Sequence, residues 1–200
     1  MMNNAASSTL FAYWDQLRAG RPAPDRAEID PRAIAPILGD TLVLETDRSG
    51  SLLYRLAGSR ACALFGRELK GTGFLDVFTA DARKTVIGTL DDALAAPSGM
   101  LMRLSATSTA GRRLALEAVL MPLVHRGRLG ARMIGAMSAA ELPYWIGRDD
   151  LARIEVEAVR LLWPAWQGPV ALAATATVQP ATIPFSTRPA LRLIQGGNVA

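Results

Sequence analysis

Residues 58–78, GSRACALFGRELKGTGFLDVF, decide how the chain is read. An apolar strand over 52–57 runs into them. They offer a short helix over 59–65, with Ser59 placed to cap it and Gly66 to stop it. Charged turn residues follow (Arg67, Glu68, Lys70), then Gly71 and Gly73, then the apolar run FLDVF. A strand that feeds short helices, with glycines where the backbone must turn sharply, wraps something rather than crossing the molecule.

Upstream of this stretch, TLVLET (41–46) reads as a strand. Residues 47–50 form a turn with Gly50 available for positive φ, and the strand over 51–57 completes a hairpin. Downstream, 79–94 reads as a helix. Thr79 caps it, Asp81 suits its first turn, and Val86, Ile87, Leu90 and Leu94 make one stripe. Pro97 and Gly99 end it. Strands follow over 100–107, 112–124 and 129–138, joined by turns at 108–111 and 125–128. In the long middle strand Leu114, Leu116, Ala118 and Leu120 face one way; Ala115, Glu117, Val119 and Met121 face the other. Two hairpin-linked sets flanking a helical middle predict an α+β fold: an antiparallel five-stranded sheet, one face covered by helices. Such a sheet, curled over helices, leaves a small interior space.

The flanks are read the same way. Residues 1–8 are small and polar, and are expected to fray. An amphipathic helix over 9–19, capped by Ser8 or Thr9 and ended by Gly20, places Leu10, Tyr13, Trp14 and Leu17 on one stripe. Two compatible roles suit it: packing on the outside of the domain, or mediating self-association as a dimer or partner helix. Pro22, Pro24 and Pro31 make the next stretch an extended connector. Asp30-Pro31 starts a helix over 31–38 that ends near Gly39. Beyond 140, LPYWIG (142–147) is an aromatic patch, and 151–163 supports helix and strand alike. From 168 onward Ala, Thr, Pro and Gly dominate with almost no charge, the composition of a flexible tail. The organisation expected is therefore a helix and connector over 1–39, a main domain over 40–140, an extension packed on it over 141–167, and the tail over 168–200.

Composition narrows the function. The 22 basic residues include only two lysines, Lys70 and Lys84, and the net charge is +4. The arginines are scattered without a basic run, which argues against nucleic-acid binding. The single Cys62 excludes an internal disulfide and fits a reducing compartment. No signal peptide and no span-length apolar run is present, so no integral membrane segment is expected. A cytoplasmic protein follows, with recruitment to a membrane or cell pole by a partner left open.

Residues 40–138 resemble a PAS domain. The marks are the order of elements and the segment RACALFGRELKGTGFLDVF, which resembles the PAS pattern of short helix, Leu-Phe-Gly, an acidic residue, then Leu-x-Gly. GRRLALEAVLMPL and RMIGAMS resemble the closing PAS hairpin. More specifically, the chain resembles a group of alphaproteobacterial PAS-like proteins. It shares with them Tyr13-Trp14, the Gly-Arg and Ile-Asp-Pro stretch over 20–31, CALFGREL over 62–69 and PYWIG over 143–147. The resemblance covers about residues 10–163. It implies sensing or protein interaction, a role in bacterial signalling and often a homodimer, and it implies no enzymatic reaction.

Chemistry beyond this is sparse. Gly71-Thr-Gly73 lacks the further glycine and the Lys-Ser/Thr of a phosphate loop. His125, the only histidine, falls in a hairpin turn, so zinc, haem and nucleophile–His arrangements are not expected. Flavin-binding PAS relatives place Asn before an adduct-forming cysteine and amides along the later strands. Here Ala61 precedes Cys62 and those strands carry Leu, Ala, Met and Ile, so neither flavin nor any other cofactor is evident. The Arg128-x-x-x-Arg132 spacing is similar to one class of cyclic-dinucleotide receptor. The accompanying Asp-x-Ser-x-x-Gly is missing: Asp47-Arg-Ser49 lies upstream and has Leu52 where glycine should stand.

Arg55, Arg60, Arg103 and Glu117 sit on or beside core elements. They point outward, or one arginine reaches inward to pair an anionic ligand, or Arg103 and Glu117 pair across strands. The leading expectation is a non-catalytic regulatory protein acting on an unknown signalling protein by contact. The alternative is a small-molecule sensor for an anionic or apolar metabolite or a nucleotide, in which the ligand controls dimer or partner binding. Its pocket would be lined by Tyr54, Leu56, Leu64, Phe65, Phe74, Leu101, Arg103 and Leu120.

Overall fold

The computed structural model describes residues 2 and 4–162. In order they form helix α1 (Ala5–Arg18), 3-10 segments Arg26–Glu28 and Pro31–Asp40, and strands β1 (Thr41–Thr46) and β2 (Leu52–Ala57). Helices α2 (Ser59–Leu64) and α3 (Ala80–Ala95) follow, then strands β3 (Gly99–Ser108), β4 (Arg113–His125), β5 (Arg128–Ala139) and β6 (Leu151–Leu162). The six strands form one antiparallel sheet in the order β2-β1-β5-β4-β3-β6. The expectations for 163–167 and 168–200 lie outside the described residues.

The sixth strand is the main departure from the five expected. Residues 151–162 are extended and pair along the whole of β3, from Gly99↔Leu162 to Ser108↔Leu151. Left alone, β3 would present a long unpaired edge, and pairing satisfies it. The start of β6 is tied to the helical middle as well. The Ile154 amide donates to the Val77 carbonyl (2.8 Å), and the Thr79 amide donates to the Ile154 carbonyl (3.0 Å).

Caps explain where the helices begin. α1 starts four residues before the expected Thr9, because Asn4 is its cap: Asn4 Oδ1 accepts from the Ala6 amide at 3.0 Å. Asn4 is itself held by the sheet. Its Nδ2 donates to the Ala139 carbonyl (3.0 Å), and its backbone amide donates to Glu117 Oε1 (3.2 Å). Residues 5–8 are therefore helical rather than frayed, and Ala6 and Ser7 are buried. The N-cap of α2 is Gly58, not Ser59. Thr79 does cap α3. The buried stripe of α3 is Ala82, Val86, Leu90 and Ala93; Ile87 is exposed and Leu94 half-buried. Small alanines let the helix approach the sheet, which a stripe of large residues would not.

The sheet separates two apolar clusters. On its front, α2, α3 and residues 66–78 cover Leu42, Leu44, Met100, Met102, Leu116, Ala118, Leu120, Met133 and Met137. On its back, α1 and the 3-10 segments cover Leu101, Val119, Met121, Leu123, Ile134 and Ala136. β4 alternates as expected: Leu116, Ala118 and Leu120 face front, Val119 and Met121 face back.

Candidate functional site

The front core centres on three aromatic rings. Tyr54 and Phe74 meet edge to face at 5.6 Å between centroids, and Phe74 and Phe78 are 5.3 Å apart. The backbone sets this geometry. Residues 71–74 fold along the outer edge of β2: the Gly71 amide donates to the Tyr54 carbonyl (2.7 Å), the Tyr54 amide to Thr72 (3.0 Å), and the Phe74 amide to Leu52 (2.8 Å). Gly71, with φ of +83°, supplies the reversal that this needs. The same core holds Met100, Met102, Met133 and Met137, all buried. Tyr54 Oη has no hydrogen-bond partner among the described residues. Burial pushes the pKa of its hydroxyl up, so the group stays an O–H donor.

Five of the residues expected to line a pocket meet here: Tyr54, Leu64, Phe65, Phe74 and Leu120. Three do not. Leu56 is 49% exposed. A bulge in β2 causes this: Leu44 pairs with Tyr54 and Val43 with Leu56, so Arg55 is an extra residue and Leu56 turns to the other face. Leu101 and Arg103 stand opposite Val119 and Glu117 on β4, the back-facing set. Leu101 is buried against the α1 side and Arg103 is exposed. Arg55 and Arg60 are exposed too, so none of these arginines reaches the core. Arg60 instead pairs with Asp40 (2.7 Å), and Arg55 and Arg132 both approach Glu45. The four methionines escaped the sequence reading. Parity relative to Leu120 would have found Met100 and Met102, once the β3–β4 register was known. Cys62 is half-buried with Sγ 3.8 Å from the Ala57 carbonyl, and no cluster of metal-ligating residues occurs among the described residues.

The back of the sheet seats α1. Leu10 and Trp14 are fully buried there, and Trp14 Nε1 donates to the Pro122 carbonyl at 2.8 Å. Phe11 stacks on Trp14 at 6.2 Å, and the Arg18 guanidinium lies over the indole at 5.5 Å. Tyr13 Oη accepts from the Asp30 amide at 2.7 Å, and Leu17 is half-buried. The dimer-helix residues are thus largely occupied within the chain, while Ala5, Ser8, Thr9, Ala12 and Gln16 face out.

The PAS domain family matches residues 2–138, more than half of the chain. The chain belongs to the PAS domain family. That membership carries a sensory or signalling character, and PAS domains of this type are generally non-catalytic. Solved structures similar to this PAS chain include the Rhodobacter sphaeroides LOV protein (12% identity, 56% of this chain, 68% of that one, TM-score 0.42). A PAS domain protein from Colwellia psychrerythraea (11%, 55%, 97%, 0.41) and the dark form of the blue-light photoreceptor Aureochrome1 LOV (12%, 58%, 85%, 0.42) are others. No curated protein matches the chain. Among the described residues no helix is long and apolar enough to cross a membrane.

Outside the matched PAS span, 142–150 close the end of the front core. Trp145 is buried in it, and the Arg112 guanidinium lies over both Tyr144 (5.9 Å) and Trp145 (5.8 Å). Asp149 clamps the β3–β4 turn. Its carboxylate accepts from Ser108 Oγ (2.5 Å), Thr109 Oγ1 (2.6 Å) and the Ala110 amide (3.1 Å). The bond from Ser108, then that from Thr109, holds the Asp149 pKa below its ordinary value. The folded pKa is lowered, so this stabilisation is fully present above the ordinary aspartate pKa and is lost as pH falls through the depressed one. Asp149→Asn is therefore expected to lower the urea midpoint at neutral pH. The gap to the parent should narrow as both are titrated into acid, and a pH-independent gap would contradict the clamp.

Proposed function

We propose that this chain is a sensory protein of the alphaproteobacterial PAS group whose four segments it shares in order, and that it signals by protein contact through α1. The observation that carries this reading is that β4 serves two layers. Leu116, Ala118 and Leu120 line the front core, while Val119 and Met121, one residue away, form the seat of α1. A shift of the front side chains moves the strand, and the strand carries Trp14 through the Pro122 carbonyl. The outward residues of α1 (Ala5, Ser8, Thr9, Ala12 and Gln16) are exposed and uncharged, which leaves that face open to a second copy or to a signalling partner.

Ala12→Arg tests this without disturbing the buried stripe. In sedimentation velocity on the full chain the proposed dimer is expected to weaken at least ~10-fold, since the variant places an unpaired charge from each copy inside the proposed contact. At concentrations where both are monomeric the melting temperature should not change. Identical association in parent and variant would remove α1 as the output surface.

A second reading, that the PAS core takes a small molecule, is favoured by the unpartnered Tyr54 hydroxyl. The core residues do not fit a flavin. A flavin ring edge needs amide-type donors and acceptors, and β4 and β5 present Leu116, Ala118, Leu120, Met133 and Met137 to the core.

A further inference from the structure

β6 covers the open side of β3 but brings an open edge of its own, being the last strand of the sheet. Its outer side is engaged at Ile154, by Val77 and Thr79; among the described residues no backbone bond reaches the outer side of 155–162. Ile154 turns its amide and carbonyl outward and its side chain into the front core, so the other front-facing residues of β6 turn their backbone groups outward too. These are Val156, Val159 and Leu161, because Glu157 is an extra residue between Val156, opposite Leu104, and Ala158, opposite Arg103. Glu155, Ala158 and Arg160 stand on the back face, opposite Ser105, Arg103 and Leu101.

An open edge templates another strand, and charges on it normally block that. Residues 155–162 carry three charges, Glu155, Glu157 and Arg160. Two copies of β6 running antiparallel about a twofold axis must pair residues of the same face. Centred on Ala158, Glu155 meets Arg160 of the second copy and Arg160 meets its Glu155, while Val156 and Val159 meet reciprocally. No neighbouring register does this. Centring on Glu155 or on Arg160 sets like charges opposite each other. Centring on Val156 sets Arg160 opposite Arg153, and centring on Val159 sets Glu155 opposite Leu162. Both charges are available: Arg160 has no ion pair among the described residues, and Glu155 has an exposed one with Arg153 at 3.5 Å.

We infer that the outer edge of β6 pairs with β6 of a second copy of this chain, antiparallel and centred on Ala158, so that one sheet continues into the other. Backbone bonds at Val156 and Val159 hold the two strands, and the two reciprocal Glu155–Arg160 pairs set the register. Glu157, the extra residue, is exposed and stands opposite no residue of the second copy. β6 lies outside the residues that the PAS family matches. It also lies beyond β3, whereas α1 sits over β4 and β5, so this contact leaves the outward face of α1 free for another partner.

The test is a cross-link at the axis, made in the full chain. Ala158 falls in a pair without backbone bonds, where opposed α-carbons lie about 4.5 Å apart. That is within the reach of a disulfide. Ala158→Cys in a Cys62→Ala background, treated with diamide, is expected to give a covalent dimer at a rate that rises with protein concentration. Glu155→Arg or Arg160→Glu, added singly, sets like charges opposite each other twice and should slow the cross-link at least ~10-fold. The two reversals together should restore it, and that recovery rules out misfolding as the cause of the slowing. A full chain that forms no covalent dimer has some other occupant on this edge, and overturns the inference. So does a cross-link that neither reversal slows, or one that the double reversal fails to restore. Ala12→Arg in the same chain should leave the rate unchanged. If Ala12→Arg slows the cross-link and the reversals do not, the self-contact lies at α1 and the pairing of β6 is overturned while the α1 reading stands.

Discussion

Replacing Trp14 by alanine is expected to cost about 3–5 kcal/mol of stability, the range for truncating a large buried aromatic. Trp14 is fully buried, stacks on Phe11 and spends its only polar group on the Pro122 carbonyl. Alanine removes the packing and leaves that carbonyl facing an apolar gap. The rest of the stripe is Ala6, Ser7 and Leu10, too little to hold the helix alone, because a helix of this length is marginal without tertiary contacts. The urea midpoint should fall. The slope of the transition should fall too, since a released α1 leaves less surface to expose on unfolding. Trp14→Phe is the milder comparison: most of the packing stays, and the cost should be about 1–3 kcal/mol for the carbonyl left unsatisfied. Equal effects from the two variants would mean that the hydrogen bond, not the ring packing, fixes the seat.

Gly58→Ala should cost about 3 kcal/mol, at the upper end of what overpacking exacts. The reason is not backbone conformation, for Gly58 has φ of −70°. A β-carbon there would collide with the Leu38 and Gly39 carbonyl oxygens, which are main-chain atoms and cannot swing aside. The same glycine donates its amide to the Thr41 carbonyl at 2.8 Å, so it joins the 3-10 segment, β1 and α2 at one point. Gly88→Ala is the contrasting control. It lies mid-α3 with nothing near its β-carbon position, and alanine there should stabilise by about 0.5–1 kcal/mol. Thermal denaturation of the pair separates close approach from helix propensity; similar losses in both would contradict this account.

The parts of the fold that were legible in the sequence are those set by local pattern. The β1–β2 hairpin, the helix after Thr79 and the alternation of β4 follow from periodicity and turn residues within a few positions. The parts that were not legible depend on distant partners. Asn4 caps α1 because Ala139 and Glu117 hold it, more than a hundred residues away. Residues 151–162 become a strand because β3 has an edge to offer. At the site, Tyr54, Phe65 and Phe74 were found because they flank one short motif. Leu56 was misplaced by a single extra residue in β2, and Leu101 and Arg103 by the unknown parity of β3 against β4. A one-residue slip in parity exchanges core for surface, and composition does not report it.

The most direct measurement on the central claim, that the front core and α1 communicate through β4, is hydrogen exchange of the α1 amides in two core variants. Leu120→Ala removes a front side chain that sits between Val119 and Met121, which hold α1. Val86→Ala removes one from α3, on the same core but away from that strand. The account predicts that protection over residues 9–18 falls in Leu120→Ala beyond the change in global stability, and tracks global stability alone in Val86→Ala. Loss of α1 protection that follows global stability equally in both variants would contradict it.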